Sequence, residues 1–170
     1  MNGVLARWNA LQLAEAAQEI LPCCGSKAWA HAMAGRRPIL DEAALLATSD
    51  EVWRSLCELD WMEAFRSHPR IGESYLPAPS SARSAAWSGE EQRRAGTAIE
   101  DIKAALADGN RAYEERFGRI FIVSANGKSG PEILEILRRR LQNDETTELH
   151  EGTEQQRQIT CLRLKKWLNS

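Results

Sequence analysis

Apolar side chains recur at helical spacing along most of the chain. From Val4 to Ile20 the positions Leu5, Trp8, Leu11 and Ala16 share one face of an alanine-rich stretch, which predicts a helix that Pro22 should end. Lys27 to Ala34 predicts a second helix, closed by Gly35 and Pro38, and Asp41 is placed to cap a short one reaching Leu46. The clearest stripe is Val52, Leu56, Leu59, Met62 and Phe65, which step by three or four and predict one core helix from Asp50 to Phe65. Pro69 has no backbone donor and turns His68 away from helical angles, so this helix should stop near Ser67. The Ser-, Pro- and Ala-rich stretch that follows runs to Trp87. So long a connection inside a compact domain is expected to be functional.

Ser88-Gly89-Glu90-Glu91 has capping-box spacing and opens a long helix through Ala95, Ile99, Ile102 and Leu106 toward Phe117, with Gly109-Asn110 as a candidate kink. Ile120-Phe121-Ile122-Val123 is strand-like in composition, but no second run offers a pairing partner, so it reads as a buried extended loop. Ser129-Gly130-Pro131-Glu132 starts another helix, with Ile133, Leu134, Leu137 and Leu141 on one side and Asn143-Asp144 at its end. The last helix is expected from Glu145 to Leu168, with Leu149, Ile159, Leu162 and Trp167 as its apolar positions. There is no internal repeat. The fold class expected is all-α: one domain over residues 1–170, a bundle of six to eight helices with a buried extended loop at the active site.

Composition narrows the function more than the fold. A length of 170 residues suits one core. A net charge of −2 leaves no general basic field, which argues against nucleic acid and anionic lipid as partners. No apolar run reaches membrane-span length and no signal-like pattern opens the chain, so a cytoplasmic protein is expected. The four cysteines, Cys23, Cys24, Cys57 and Cys161, form neither a disulfide framework nor a CxxC pair and read as reduced packing residues. Neither a Walker loop, a GxGxxG pattern nor metal-ligand spacing occurs.

Four places can carry chemistry. His68, constrained by Pro69 at a helix exit, suits proton transfer near neutral pH, or else caps that helix through its dipole. His31 and His150 fall on alanine-rich or polar faces and read as surface. Glu91 either closes the Ser88 cap or turns with Gln92 toward a ligand held at the helix end. Arg163 lies between Leu162 and Leu164, in step with Ile159 and Trp167, so its guanidinium needs an anion. That anion is an internal acid such as Glu91 or a substrate carboxylate. The run Val123-Ser124-Ala125-Asn126-Gly127-Lys128 has backbone groups that a flat polar ligand, or ordinary turn packing, must satisfy.

Five segments together resemble one family: Arg37-Pro38; Phe65-Arg66-Ser67-His68-Pro69-Arg70-Ile71-Gly72; Ser88-Gly89-Glu90-Glu91-Gln92 with Ala95-Gly96; Phe117-Gly118-Arg119-Ile120-Phe121-Ile122-Val123; and Ile159-Thr160-Cys161-Leu162-Arg163-Leu164. In this order they resemble the 2-oxo-4-hydroxy-4-carboxy-5-ureidoimidazoline (OHCU) decarboxylases of uric acid catabolism, which form (S)-allantoin. The resemblance implies His68 as catalytic residue and Pro69 as a pocket wall; the mechanism expected on that basis has Glu91 assisting His68. The resemblance further implies that Ser88, Glu91 and Gln92 contact substrate, that the segment Val123, Ser124, Ala125, Asn126 and Gly127, chiefly Val123 and Ala125, supplies backbone contacts, and that Arg163 anchors the ligand.

The resemblance also implies no cofactor and no metal, because the family's substrate has a ring C=N next to the carbon that loses CO₂. Ile120 stands where the family commonly has proline, and Asn126-Gly127 is small, which changes loop rigidity without removing a catalytic group. Leu168-Asn169-Ser170 is not a peroxisomal tripeptide, in keeping with a cytoplasmic, bacterial form. The competing readings are a helical ureide-binding module built around the tryptophans and a ureide hydrolase in which Glu91 activates water. An apolar patch on the N-terminal helices could build a homodimer.

Overall fold

The computed structural model describes residues 2–71, the backbone of residues 89–98 and residues 99–170. Among them are eight α-helices and no strand: α1 Gly3–Ala10, α2 Leu13–Cys24, α3 Lys27–Gly35, α4 Glu42–Ser55, α5 Glu58–Arg66, α6 Gly89–Phe117, α7 Gly130–Arg140 and α8 Glu145–Leu168. The all-α expectation holds. None of these helices is long and apolar enough to cross a membrane. The expected loop from Gly72 to Trp87 lies outside the described residues.

The chain divides into two compact units. The first holds the residues up to His68 together with Leu149–Ser170, and the second holds the described part of Pro69–Glu148. Trp8, Ile20, Trp29, Met33, Leu45 and Phe65 are sealed within the first, where Trp8 also meets Trp167 edge-on at 5.7 Å. Leu106, Tyr113, Phe117, Phe121, Val123, Ile133, Leu134 and Leu137 form the core of the second.

Two long helices expected from periodicity are each broken in two. The stretch from Val4 to Ile20 turns at Leu11 and Gln12, both extended, and Gln12 restarts the chain as a cap for α2 through a reciprocal bond with Glu15. What makes the break affordable is distant: Arg37 donates to the carbonyls of Trp8 at 2.7 Å and Leu11 at 2.9 Å, filling acceptors that the helix end leaves open. Its guanidinium also lies 5.3 Å from the Trp8 ring. Pro22 does not end α2 but sits inside its last turns, and the helix closes at Gly25 in the left-handed region, φ 90°.

The stretch from Asp50 to Phe65 breaks the same way. Helix α4, capped by Asp41 as expected, runs on past Leu46 to Ser55; Leu56 is extended, and Cys57 with Asp60 caps α5. The Trp61 indole donates to the Trp53 carbonyl at 3.1 Å, again filling an acceptor near a helix end. Leu59, counted as part of the core stripe, is 78% exposed.

Later elements follow their signals. Helix α6 runs straight through Gly109-Asn110. A Cβ on Gly109 would lie 2.6 Å from Leu137, so this glycine permits α6 and α7 to touch closely rather than marking a kink. Ser129 caps α7 in a capping box. Residues 120–125 are non-helical and unpaired as strand, with Phe121, Ile122, Val123 and Ser124 buried, so the extended loop is real.

Helix α8 has the expected ends but not the expected face. Leu162 is 41% exposed, and the buried stripe steps by four through Glu148, Gly152, Gln156, Thr160, Leu164 and Leu168. Half of that stripe is polar, which is why an apolar-periodicity reading selects the wrong positions.

Candidate active site

His68 is delivered by the end of α5. Its N–H donates to the Phe65 carbonyl at 3.1 Å, and the preceding Ser67 hydroxyl donates to Ala64 at 2.6 Å, so the helix closes itself with backbone and hydroxyl donors. The imidazole is therefore not the cap. The end of α2 lies against this turn at Gly25, where an added Cβ would fall 2.1 Å from the Ser67 hydroxyl oxygen and 2.6 Å from its Cβ. With the left-handed strain of about 1–2 kcal/mol and overpacking of about 1–3 kcal/mol, Gly25→Ala is expected to lower unfolding free energy by roughly 2–5 kcal/mol. Urea denaturation checks this, and an unchanged midpoint would remove Gly25 from the packing of the site.

The ring of His68 is held from α8. Its Nε2 lies 2.8 Å from Oε1 of Gln156, a fully buried side chain. The amide nitrogen of Gln156 donates to the Cys24 carbonyl at 3.2 Å and to the Thr160 hydroxyl at 3.1 Å. A carbonyl only accepts, so the NH₂ of Gln156 faces Cys24 and its oxygen faces His68. Nε2 must then carry the proton, and the lone pair resides on Nδ1.

Nδ1 points at Arg163, whose Nη2 lies 3.5 Å away while Nη1 donates to the Pro22 carbonyl at 3.3 Å. Burial, then the positive charge of Arg163, push the His68 pKa from its ordinary 6.5 down to about 4 against a smaller upward pull from Gln156. The imidazole is neutral at physiological pH. Arg163 forms no ion pair among the described residues. Glu19, on the neighbouring helix, is held by Arg7 in a two-pronged contact at 2.7 and 3.1 Å. The expectation that Arg163 lies on an apolar face needs correction, since Leu162 is exposed and Arg163 only partly buried.

The flanking thiols are inert. Burial raises the Cys23 pKa to about 11 and that of Cys24 to about 12, so neither is a thiolate at neutral pH. All four cysteines are free thiols and His31 and His150 are exposed, as expected, but Cys57 is exposed at the start of α5 rather than a packing residue. Among the described residues no three His, Cys, Asp or Glu side chains gather as a metal set. A cavity in this unit is lined by Trp53, Arg54, Trp61, His150, Thr153, Glu154 and Arg157. Its Arg157 is already paired with Asp50 and Glu154, each at 2.8 Å, which leaves no uncompensated charge to draw a ligand.

The other expected site residues belong to the second unit or lie outside the described residues. Ser88 and the side chains of Glu91 and Gln92 are outside them; Glu91 and Gln92 fall in the first turn of α6. Pro69 follows His68 and is exposed. Along the extended loop, Val123 and Ser124 are buried, Asn126 and Gly127 are exposed, and Gly127 takes φ 74°.

Much of the loop's backbone has internal partners that the sequence reading missed. Arg140 donates to the Ile122 carbonyl at 2.6 Å, and Lys128 reaches the Ser124 carbonyl at 2.8 Å with its ammonium and the Ala125 carbonyl at 3.1 Å with its N–H. Arg140 and Glu148 are fully buried and joined at 2.9 Å, with Asn143 donating to Glu148 at 2.9 Å and the Tyr113 hydroxyl donating to it as well. Gln156, also missed, had one available signal: its place on the four-residue stripe with Gly152, Thr160 and Leu164.

The family model described as OHCU decarboxylase matches residues 9–165. The uric acid degradation bifunctional protein TTL of Arabidopsis thaliana is 32% identical over 144 residues, covering 85% of this chain and 44% of that protein. The uric acid degradation bifunctional protein of Bacillus sp. (strain TB-90) is 26% identical over 132 residues, covering 76% and 25%. The chain thus spans less than half the length of these curated relatives. A crystal structure of OHCU decarboxylase in the presence of (S)-allantoin superposes with TM-score 0.70 at 31% identity, covering 89% of this chain and 98% of that one. A crystal structure of (S)-allantoin synthase shares the fold, with TM-score 0.70 at 18% identity over 96% of this chain and 53% of that one. By the match over residues 9–165, this chain belongs to the OHCU decarboxylase family.

Proposed function

We propose that this chain decarboxylates 2-oxo-4-hydroxy-4-carboxy-5-ureidoimidazoline to (S)-allantoin, acting as a single domain in the cytoplasm and using its own side chains without a cofactor. The observation that carries this reading is the pairing of a neutral imidazole, its lone pair on Nδ1, with an arginine that has no carboxylate partner among the described residues. A base and a cation with no counter-ion among the described residues, side by side, suit a substrate that brings both a proton to give up and developing negative charge.

In the mechanism proposed, Arg163 anchors an oxygen of the ligand, and Ser88, Glu91, Gln92 and the segment Val123, Ser124, Ala125, Asn126 and Gly127 orient the ring and ureido groups. The bond to the carboxyl carbon breaks and CO₂ leaves. The electron pair passes into the neighbouring ring C=N. His68, assisted by Glu91, takes the hydroxyl proton on Nδ1 and returns it to one face of the enolate-like intermediate, which sets the hand of the product, while a proton from solvent neutralises the ring nitrogen that received the electron pair. Burial is the larger cause of the depressed His68 pKa, and negative charge arriving beside Arg163 offsets the second, so the imidazole becomes a stronger base when it is needed.

Freshly generated substrate, followed by circular dichroism and by labelled CO₂, tests this. Optically active allantoin and CO₂ should appear together, faster than spontaneous decay. A ring-opened product without CO₂ would favour the hydrolase, and no acceleration the binding module. Arg163→Lys should raise KM by about tenfold to a hundredfold, because a point charge cannot reproduce a forked contact whose charged hydrogen bonds contribute about 1.5–3 kcal/mol. Unchanged kinetics would make Arg163 a structural residue.

A further inference from the structure

Gln156 is buried and uncharged and exchanges no proton in the proposed mechanism, yet its amide makes three hydrogen bonds whose directions are not interchangeable. At one end is the Cys24 carbonyl, an acceptor freed by the end of α2 just before Gly25. Because that carbonyl only accepts, the amide cannot be turned over without setting two oxygens against each other. Turning it over would also bring its NH₂ toward Nε2. The orientation of the amide therefore decides which ring nitrogen of His68 carries the proton.

We propose that Gln156 is a positioning residue that selects the Nε2–H tautomer of His68 and so keeps the Nδ1 lone pair directed at Arg163. The role in turnover rests on the functional reading above, whereas the tautomer itself does not. The chain of control runs from the α2 terminus through one amide to the imidazole: Cys24 C=O orients Gln156, Gln156 Oε1 accepts from Nε2, and Nδ1 remains unprotonated. Without the acceptor at Nε2, only the long 3.5 Å approach of the Arg163 guanidinium to Nδ1 is left to bias the ring, and the tautomer with the proton on Nδ1 directs an N–H at that donor. That form cannot act as a base on the Arg163 side. The Thr160 hydroxyl, also on the buried stripe of α8, fixes the same amide from its other hydrogen.

The charged group facing the ring is Arg163, on the same helix as Gln156; the thiols of Cys23 and Cys24 on α2 stay neutral through the working range, and the uncharged Ser67 hydroxyl at the end of α5 is engaged with the Ala64 carbonyl. Gln156→Glu puts an acceptor opposite Nε2 and adds a negative charge, which preserves the tautomer and favours the imidazolium. Gln156→Met keeps the volume and removes the acceptor.

The test is nitrogen-15 correlation spectroscopy of the full chain without ligand, with His31 and His150 separated from His68 by a His68→Asn spectrum, alongside kcat, KM and pH profiles. The wild type should give the neutral Nε2–H pattern at His68. Gln156→Met should give a mixture of tautomers, with kcat lowered about tenfold or more and KM little changed. Gln156→Glu should recover the single tautomer and part of kcat, with the acidic limb of the pH profile moved upward. A purely structural Gln156 would change stability but not tautomer, limb or kcat.

An Nδ1–H wild type, or a tautomer unmoved in Gln156→Met, overturns the proposal. A tautomer that shifts while kcat stays level overturns the positioning role. If the wild type shows no decarboxylation, the functional reading fails separately, and the spectra still decide whether Gln156 selects the tautomer. Should Gln156→Met fail to fold, the wild-type spectrum and Gln156→Glu decide the same question.

Discussion

His68→Asn is expected to lower kcat by about 10²–10⁴-fold, the range that a positioned acid or base contributes, while the helical circular-dichroism spectrum stays unchanged. Allantoin formed in its presence should lose its handedness, because the residue proposed to deliver the proton to one face is gone. The same substitution should remove a pH effect on stability. In the folded chain the His68 pKa is about 4, below its ordinary 6.5, so the unfolded chain binds the proton more readily. The stability contributed by the neutral ring is complete above about pH 6.5 and is lost as pH falls toward about 4. Denaturation midpoints across that window should slope in the wild type and flatten in His68→Asn. A variant with full, stereospecific activity removes His68 from the chemistry.

The largest stability loss is expected at the other buried polar centre. Glu148 takes charge-assisted bonds from Arg140 and further bonds from Asn143 and the Tyr113 hydroxyl, with both charges fully buried. Glu148→Ala leaves the guanidinium without a counter-ion in low dielectric, at a cost of about 3–5 kcal/mol. Arg140 also donates to the Ile122 carbonyl, and its guanidinium lies 4.7 Å from the Phe121 ring, so the damage should reach the extended loop that holds Val123 and Ala125. The double variant Arg140→Met with Glu148→Leu should recover much of the loss in guanidinium denaturation, because no lone charge remains buried. A small loss from Glu148→Ala alone, or a double variant worse than the single, contradicts this picture of the pair.

The contrast between what the sequence reveals and what it hides has a common physical cause. Helices whose ends are marked by local chemistry are legible: Ser129 with Glu132 for α7, Asp41 for α4, Pro69 after α5. The breaks at Leu11 and Leu56 are not, because the groups that satisfy the open carbonyls there, Arg37 and Trp61, are set by tertiary packing rather than by spacing. The unpaired loop after Phe117 was legible from the absence of a partner strand, while the side chains that hold its carbonyls, Arg140 and Lys128, were not.

At the site the split is similar. His68 and Arg163 announce themselves, one by Pro69 and the other as a charge between leucines. Gln156 carries only a faint signal, its place on the four-residue stripe, because a buried amide looks like any polar surface residue until the stripe through Glu148, Gly152, Thr160 and Leu164 is known to face inward.

The central claim is that one small molecule engages His68 and Arg163 together, and a structure of this chain with (S)-allantoin bound tests it most directly. The expected result places an allantoin oxygen within hydrogen-bond reach of the Arg163 guanidinium and another polar atom of the ligand at Nδ1 of His68, with Gln156 still accepting from Nε2. Allantoin seated instead among Trp53, Trp61 and Arg157, with the His68–Arg163 pair untouched, would contradict it.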